Sequence, residues 1–152
     1  MNILKVLTER RIKGNFGERA ASKYLRKSGY KILEKNFVGK SSEIDIIAKT
    51  KFGDTTVFVE VKTRSLEKIG AHESRPAAAV TAEKQRKIIS ASKQFMKKFR
   101  LNTRMRYDII EVYVEKINGK DRVSRINHLL SAFDYNTAYD AKYFSKNRKD
   151  NL

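Results

Sequence analysis

Three charged residues interrupt two segments that are otherwise strongly apolar. Asp45 lies in EIDIIA at positions 43–48, and Glu60 and Lys62 lie in TTVFVEVKT at positions 55–63. Side chains alternate across a β-strand, so Glu60 and Lys62 are expected on one face, with Cα atoms about 7 Å apart. A charge in such a strand is unfavourable unless it is paired or coordinates a metal ion. These three residues are therefore the first candidates for a functional site.

Carboxylates on neighbouring strands predict a metal-ion site. If the two segments pair, Asp45 and Glu60 approach each other, and a divalent cation with oxygen ligands removes their repulsion. Such a cation, Mg²⁺ or Mn²⁺, polarises a phosphodiester and lowers the pKa of a bound water. Lys62 could orient that water or stabilise charge on the phosphate. The chemistry that fits is metal-assisted phosphodiester hydrolysis.

The simpler alternative is a structural role. Glu60 and Lys62 could form a same-face ion pair on a half-solvated edge strand, worth less than about 1 kcal/mol. Asp45 could satisfy a turn. Because Glu-x-Lys by itself is a short motif with a high false-positive rate, the spacing alone leaves both interpretations open.

The charge of the chain favours a polyanionic partner. Lys and Arg number 34 against 17 acidic residues, a net charge of +17. The excess is concentrated: residues 1–40 hold eleven bases and three acids, and residues 83–106 hold nine bases and one acid. Such a field attracts nucleic acid with salt-dependent, sequence-independent affinity. DNA is the expected partner and RNA the alternative; a surface selected for solubility or for anionic lipid is the simpler interpretation.

Composition excludes several other classes. A chain of 152 residues with 40% hydrophobic residues fits a single domain, 1–152. The absence of cysteine excludes disulfides, thiolate zinc sites and cysteine nucleophiles. No apolar run is long enough for a membrane span, and charge interrupts the N-terminal segment too early for a signal peptide. We expect a cytoplasmic protein without a membrane partner; whether it forms a homodimer stays open.

The pattern of apolar residues predicts the order helix, three strands, long helix, two strands. The first helix is expected to follow Gly14–Gly17 and to close at Gly29. After an irregular loop at 65–76, the longest helix is expected at 77–99, and a basic, frayed tail that begins with a short helix is expected after about residue 133. The predicted strands cover 30–37, 43–48, 55–63, 105–115 and 122–129.

Four blocks resemble the YraN-like family of small bacterial proteins, predicted nucleases related to archaeal Holliday junction resolvases. The blocks occur in family order within residues 14–112. One departure is Ser42, which stands where the family usually has glycine before Glu-Ile-Asp. The blocks are Gly14-x-x-Gly17-Glu18-x-x-Ala21, Glu43–Ala48, Phe58–Arg64 and Arg106–Asp108.

The resemblance implies a restriction-endonuclease-like α/β fold of the PD-(D/E)xK type, with helices flanking a mixed central sheet. By position, Asp45 would be the first metal ligand, Glu60 the second and Lys62 the catalytic lysine. Glu18, on the first helix, would be an additional acid near the metal. The activity implied is metal-dependent cleavage of DNA, in particular of branched DNA.

Residues around this site are candidates for contacts with nucleic acid. Arg64 follows the third strand, and Lys84, Gln85 and Lys87 open the exposed side of the long helix; a solvated helix face is the alternative for the helix residues. Arg106 and Asp108 share one strand face, and we expect them to form a structural ion pair.

Three functions compete. The first is a DNA endonuclease, the second a non-catalytic nucleic-acid-binding module on the same fold, and the third a basic ribosome- or RNA-associated protein whose carboxylates only hold the sheet together. Asp45, Glu60 and Lys62 are all present, which favours the first.

Overall fold

The elements occur in the predicted order. The structure, a computed structural model, describes residues 3–67 and 80–139, with side chains described from Asn15 onward. A mixed sheet of five strands is flanked by two helices. The elements are α1 (Ile3–Lys27), β1 (Lys31–Val38), β2 (Glu43–Lys49), β3 (Thr55–Ser65), α2 (Ala82–Lys98), β4 (Arg104–Ile117) and β5 (Lys120–Phe133).

The strands lie in the sheet in sequence order, β1-β2-β3-β4-β5. The pairs β1–β2, β2–β3 and β4–β5 are antiparallel, whereas β3 and β4 run parallel. Parallel neighbours need a long crossover connection, and α2 lies in the segment that joins β3 to β4. The crossover places α2 on one face of the sheet while α1 covers the other.

The two faces of the sheet carry separate cores. Because β2 and β3 are buried on both sides, their sequences are almost continuously apolar. On the α2 side, the rings of Phe58 and Tyr107 stack with centroids 5.6 Å apart. The α1-side core contains Ala21, Leu25, Ile46, Ala48, Val57, Val59, Ile110 and Val112. The α2-side core contains Ile44, Ile47, Phe58, Ile88, Ile89, Phe95, Tyr107 and Ile109.

Helix α1 begins before the Gly14–Gly17 segment, which was predicted to precede it. It runs from Ile3 through Gly14 and Gly17 without a break. A glycine inside a helix costs roughly 0.5–1 kcal/mol relative to alanine, which weakens a helix but does not end it. At Gly17 a Cβ would overlap the Oγ1 of Thr63 on β3 and lie 3.2 Å from its Cβ. Gly17 is therefore a point of close approach between α1 and β3.

Helix α2 is shorter than predicted. It begins at Ala82, after Thr81, whose hydroxyl accepts a hydrogen bond from the Lys84 amide. With 17 residues against 25 in α1, it is not the longest helix, so that prediction was wrong. Residues 68–79, which include most of the predicted loop and the predicted start of this helix, lie outside the described residues.

The chain after β5 begins the predicted short helix. Residues 135–139 form a helical turn, and the Asp134 carboxylate accepts a hydrogen bond of 2.8 Å from the Thr137 amide. The rest of the predicted basic tail, residues 140–152, lies outside the described residues. Among the helices that the structure describes, none is long and apolar enough to cross a membrane.

Candidate functional site

Strand pairing brings Asp45 and Glu60 together. In the β2–β3 register, Ile47 faces Phe58 and Ile46 faces Val59, so the next position places Asp45 across from Glu60. The Asp45 carboxylate also accepts a hydrogen bond of 2.7 Å from the Val61 amide. The first step of the predicted site, the approach of two carboxylates from neighbouring strands, is thus present in the structure.

The backbone around Asp45 departs from regular strand geometry. Strict alternation would place Ile44 and Ile46 on one face, yet Ile44 packs in the α2-side core and Ile46 in the α1-side core. Across β1, Asn36 lies between the partners of Ile44 and Ile46 and has a φ of 52°. Both strands are therefore distorted at this point, which leaves the Asp45 side chain at the junction of the two faces and not inside either core.

The Asp45 carboxyl group faces a second acid, Glu60, and has a raised pKa. Burial is the main cause that raises the pKa of Asp45, and the negative charge of Glu60 is the second. The hydrogen bond from Val61 acts in the opposite direction but is outweighed, and the pKa of Asp45 rises to about 7. A hydrogen bond between the Asp45 and Glu60 carboxyl groups belongs to this environment. Such a pair is stable with a proton or with another cation between its oxygens.

Lys62 neutralises only one of these acids. Its Nζ lies 3.4 Å from Oε1 of Glu60, which confirms that the two side chains share a face. The Lys62 side chain is 29% exposed and the Glu60 side chain 8%. Within residues 15–67 and 80–139, the salt bridges include none to Asp45. One lysine for two buried carboxylates leaves a deficit of positive charge that the simple ion-pair interpretation does not explain.

Glu18 lies beside the pair on α1. Burial raises its pKa, a hydrogen bond from Asn36 lowers it, and the charges of Glu43 and Glu60 contribute to a net rise. With the Asn36 amide nitrogen turned toward the acids, it donates to Glu18 and to Glu43 at 3.1 Å each. Glu18 therefore adds negative charge to the site while Asn36 holds it in place.

The donor set suits a magnesium-like ion. In the described parts of the chain, no three Asp, Glu, His or Cys side chains form a metal-ligand group. Asp45 and Glu60 remain as two adjacent oxygen donors. Mg²⁺ usually binds proteins through one or two carboxylates and keeps water or substrate phosphate in its other positions. The pair fits such an ion, and Glu18 as a direct ligand stays a prediction.

Two of the predicted nucleic-acid contacts flank the carboxylates. Arg64 extends from the same strand face as Glu60 and Lys62, with its Nε 3.8 Å from a Glu111 oxygen. The Lys84 ammonium donates to the Ser42 hydroxyl at 3.4 Å, which ties α2 to the turn before Asp45. Ser42 thus gives Lys84 a contact that glycine would not.

The other two predicted contacts lie elsewhere on α2. Gln85 donates from its side-chain amide to the Val80 carbonyl, 3.1 Å away. Lys87 forms an exposed pair with Glu83, with 3.3 Å between Nζ and Oε1. Both side chains thus contact the start of their own helix, and their contact with nucleic acid stays a prediction.

The predicted ion pair of Arg106 and Asp108 belongs to a larger network. Arg106 donates to both Asp108 oxygens, at 2.8 and 2.9 Å. The second and third partners are His128, with Nε2 2.7 Å from Oδ2, and the Ser131 amide, which donates at 3.0 Å. Burial would raise the pKa of Asp108, but the hydrogen bonds from His128 and Arg106 lower it overall. This network is separate from the candidate site.

A fourth carboxylate, Glu111, was missed by the sequence reasoning. It lies in the apolar run IIEVYV at positions 109–114 and is 1% exposed. Its oxygens accept hydrogen bonds from Asn127 at 3.0 Å and from Tyr113 at 3.3 Å. The signal that identifies Asp45 and Glu60, an acid inside an apolar strand, is also present here.

Comparison with known proteins identifies the family. The model of the uncharacterised protein family UPF0102 matches residues 17–112, which hold both carboxylates and Lys62. The chain belongs to the UPF0102 family. This is the YraN-like family that the sequence blocks predict, so the predicted membership is confirmed.

UPF0102 relatives align over most of the chain. The UPF0102 protein of Clostridioides difficile is 45% identical over 122 residues, which cover 80% of this chain and 96% of the relative. That of Caldanaerobacter subterraneus is 43% identical over 121 residues, or 79% and 93% of the two chains. That of Herminiimonas arsenicoxydans is 38% identical over 111 residues, or 73% and 85%.

A structural overlap is much weaker. A solved chain, described as the structure of Pyrococcus furiosus SfsA in complex with Ca²⁺, overlaps with a TM-score of 0.37 and 14% identity. The overlap covers 77% of this UPF0102 chain and 63% of the other.

Proposed function

We propose that this UPF0102 protein is a metal-dependent DNA endonuclease with a restriction-endonuclease-like fold. The observation that carries the proposal is the Asp45–Glu60 pair, two adjacent and largely buried carboxylates with a single lysine between them and the solvent. Burying such a pair without a cation is unfavourable, and a structural role would be served as well by apolar residues. The mixed sheet and the order of its elements support the same fold.

Each residue has a defined part in the proposed reaction. Asp45 and Glu60 would bind Mg²⁺ or Mn²⁺, which when bound activates water and polarises the phosphodiester. Asp45 would have to be deprotonated to hold the metal, because a carboxylate must be deprotonated to act as a ligand. Lys62 would orient the attacking water or stabilise charge on the phosphate. Glu18 would keep the site negative at its α1 edge.

The rest of the surface supports a nucleic-acid substrate. A net charge of +17 attracts a phosphate backbone. Arg64 lies four residues beyond Glu60 on β3, and Lys84 contacts Ser42, three residues before Asp45, so both add positive charge near the acidic pair. We propose DNA, with branched DNA as the first substrate to test, and keep RNA as an arm of the experiment.

The test is incubation of wild-type protein with branched and linear DNA, and with RNA, in the presence and absence of Mg²⁺ or Mn²⁺. We expect metal-dependent DNA products that Glu60→Gln abolishes, with DNA binding kept or increased because negative charge is removed near phosphate. Glu34→Gln is the matched control, since Glu34 is exposed on β1. If wild type yields no more product than Glu60→Gln, the chain is a binding module and not a nuclease.

A further inference from the structure

The face that carries Glu60 continues into a second polar region. Lys62 and Arg64 follow Glu60 at alternate positions of β3, so all three project from the same side. The parallel register with β4 sets Lys62 beside Glu111 and Arg64 beside Tyr113. The antiparallel register with β5 extends these rows to Asn127 and Arg125. The two rows are Lys62–Glu111–Asn127 and Arg64–Tyr113–Arg125.

Glu111 attracts Arg64 without accepting a hydrogen bond from it. Asn127 and Tyr113 already donate hydrogen bonds to the Glu111 carboxylate. The Arg64 Nε lies 3.8 Å from it, which is an ion-pair distance and longer than a hydrogen bond. Glu111 therefore attracts the Arg64 guanidinium toward the sheet but leaves its N–H groups available for another acceptor.

Arg125 is held in a similar way. Its guanidinium carbon lies 4.1 Å from the centroid of the Tyr113 ring. A planar guanidinium that stacks on an aromatic ring keeps its donors in its own plane, where they can bind an anion. Arg125 is exposed and Tyr113 is buried beneath it. The ring therefore fixes the position of a cation that still faces solvent.

Two arginines on either side of one tyrosine form an arrangement that suits phosphate. β3 and β5 are separated only by β4, so their backbones lie about 10 Å apart, a gap that two arginine side chains can close around one anion. Arginine also binds phosphate through two parallel N–H groups. Two like charges in adjacent positions repel each other, and an anion between them removes the repulsion.

We propose that Arg64 and Arg125 form a second phosphate-binding site, the two-arginine site, which holds the backbone of the DNA strand that enters the Asp45–Glu60 centre. The proposal rests on the proposed function for the identity of that strand. Arg64 lies four residues beyond Glu60 on β3, about 13 Å along the strand. The site would thus bind the strand at a phosphate away from the one that is cleaved, and would set which bond reaches the metal.

Binding without cleavage tests the two-arginine site. DNA affinity is measured in EDTA at several salt concentrations for Arg64→Ala, Arg125→Ala and the double variant. The matched control is Arg104→Ala, which removes the same charge from the opposite end of the sheet, where Arg104 pairs with Thr55. We expect each site variant to lose roughly fivefold in affinity and to reduce the salt slope by about 0.9, since one phosphate contact is lost.

The Arg64→Lys variant distinguishes the loss of a phosphate contact from a folding defect. It keeps the charge but lacks the two-pronged donor, so we expect weaker DNA binding with an unchanged salt slope and an unchanged thermal melt. Equal losses in Arg64→Ala, Arg125→Ala and Arg104→Ala would overturn the site, because net charge alone would then explain binding. The same holds if the protein binds RNA but not DNA.

The two proposals fail in different ways. If DNA binding depends on both arginines but no metal-dependent cleavage occurs, the nuclease activity is refuted and the two-arginine site stands. If the protein cleaves DNA but binding is indifferent to both arginines, the two-arginine site alone is refuted.

Discussion

Asp45 and Asp108 are both acids of the central sheet, the first half-buried and the second fully buried, and their surroundings shift their pKa values in opposite directions. Asp108 receives two hydrogen bonds from Arg106, one from the Ser131 amide and a close contact from His128. Asp45 receives one amide hydrogen bond and faces a second acid. The pKa of Asp108 is lowered and that of Asp45 is raised to about 7.

The difference separates a structural acid from the candidate functional site. Asp108 is fully satisfied by the protein, so its charge ties β4 to β5 and to the α1 side. Asp45 has a neighbour that makes its charge unfavourable, and the fold keeps the two together nonetheless. Perturbed carboxyl groups of this second kind are characteristic of functional sites.

The largest effect is expected from the structural acid. Asp108→Ala leaves the partly exposed Arg106 and the largely buried His128 ring without their shared partner, and breaking such a network costs about 3–5 kcal/mol. Urea denaturation measures the loss, with Asp121→Ala, near the start of β5, as the control. A loss below about 1 kcal/mol, similar to that of a surface substitution, would show that Asp108 is not a structural acid.

Asp45→Asn is expected to stabilise the metal-free protein, whereas Asp108→Ala destabilises it. Because the folded pKa lies above the ordinary value of 3.8, the stabilisation of protonated Asp45 is complete below about pH 4 and is lost as the pH rises through about 7. Asparagine can accept from the Val61 amide and donate to Glu60 at any pH. We expect Asp45→Asn to raise the free energy of unfolding by on the order of 2 kcal/mol at pH 8.

The measurement is the free energy of unfolding of wild type and Asp45→Asn between pH 4 and pH 8 in EDTA. The difference between them should grow with pH, whereas Asp121→Asn should show no such trend. If Asp45→Asn is destabilising at pH 8, the carboxylate is stabilised by its surroundings and the contrast with Asp108 disappears.

The smallest effect on stability is expected from Lys62→Ala. Its partly exposed pair with Glu60 contributes less than about 1 kcal/mol, yet we expect the substitution to stop DNA cleavage while Mn²⁺ still binds. Thermal melting and the cleavage assay on one preparation test both halves. Full cleavage by Lys62→Ala would show that Lys62 forms an ion pair with Glu60 and has no part in cleavage.

The sequence was informative where a charged residue interrupts the regular pattern of apolar residues in a strand. Apolar segments interrupted by Asp45 and Glu60 predict paired strands with a site between them, and the β2–β3 register has that form. The same signal at Glu111 was available. The order of the elements along the chain was predicted, but the order of the strands in the sheet was not, although short connections join neighbouring strands and one helix allows the parallel crossover.

Other features depend on contacts that a single sequence does not display. Gly17 looks like a helix boundary, yet it is required by the approach of Thr63 from a distant strand. Asn36 adopts a left-handed conformation beside the site, and nothing in its local sequence indicates that it binds Glu18. Arg125 gains its role only through a register that places it over Tyr113.

The most direct test of the central claim is calorimetric titration of Mn²⁺ into the protein at pH 6, in buffers of different ionisation enthalpy. Asp45 must lose its proton to bind the metal. We predict binding by wild type with release of about one proton, unchanged in Glu34→Gln and abolished in Asp45→Asn and Glu60→Gln. Absence of binding by wild type, or binding that persists in both of the latter variants, would contradict a metal site at this pair.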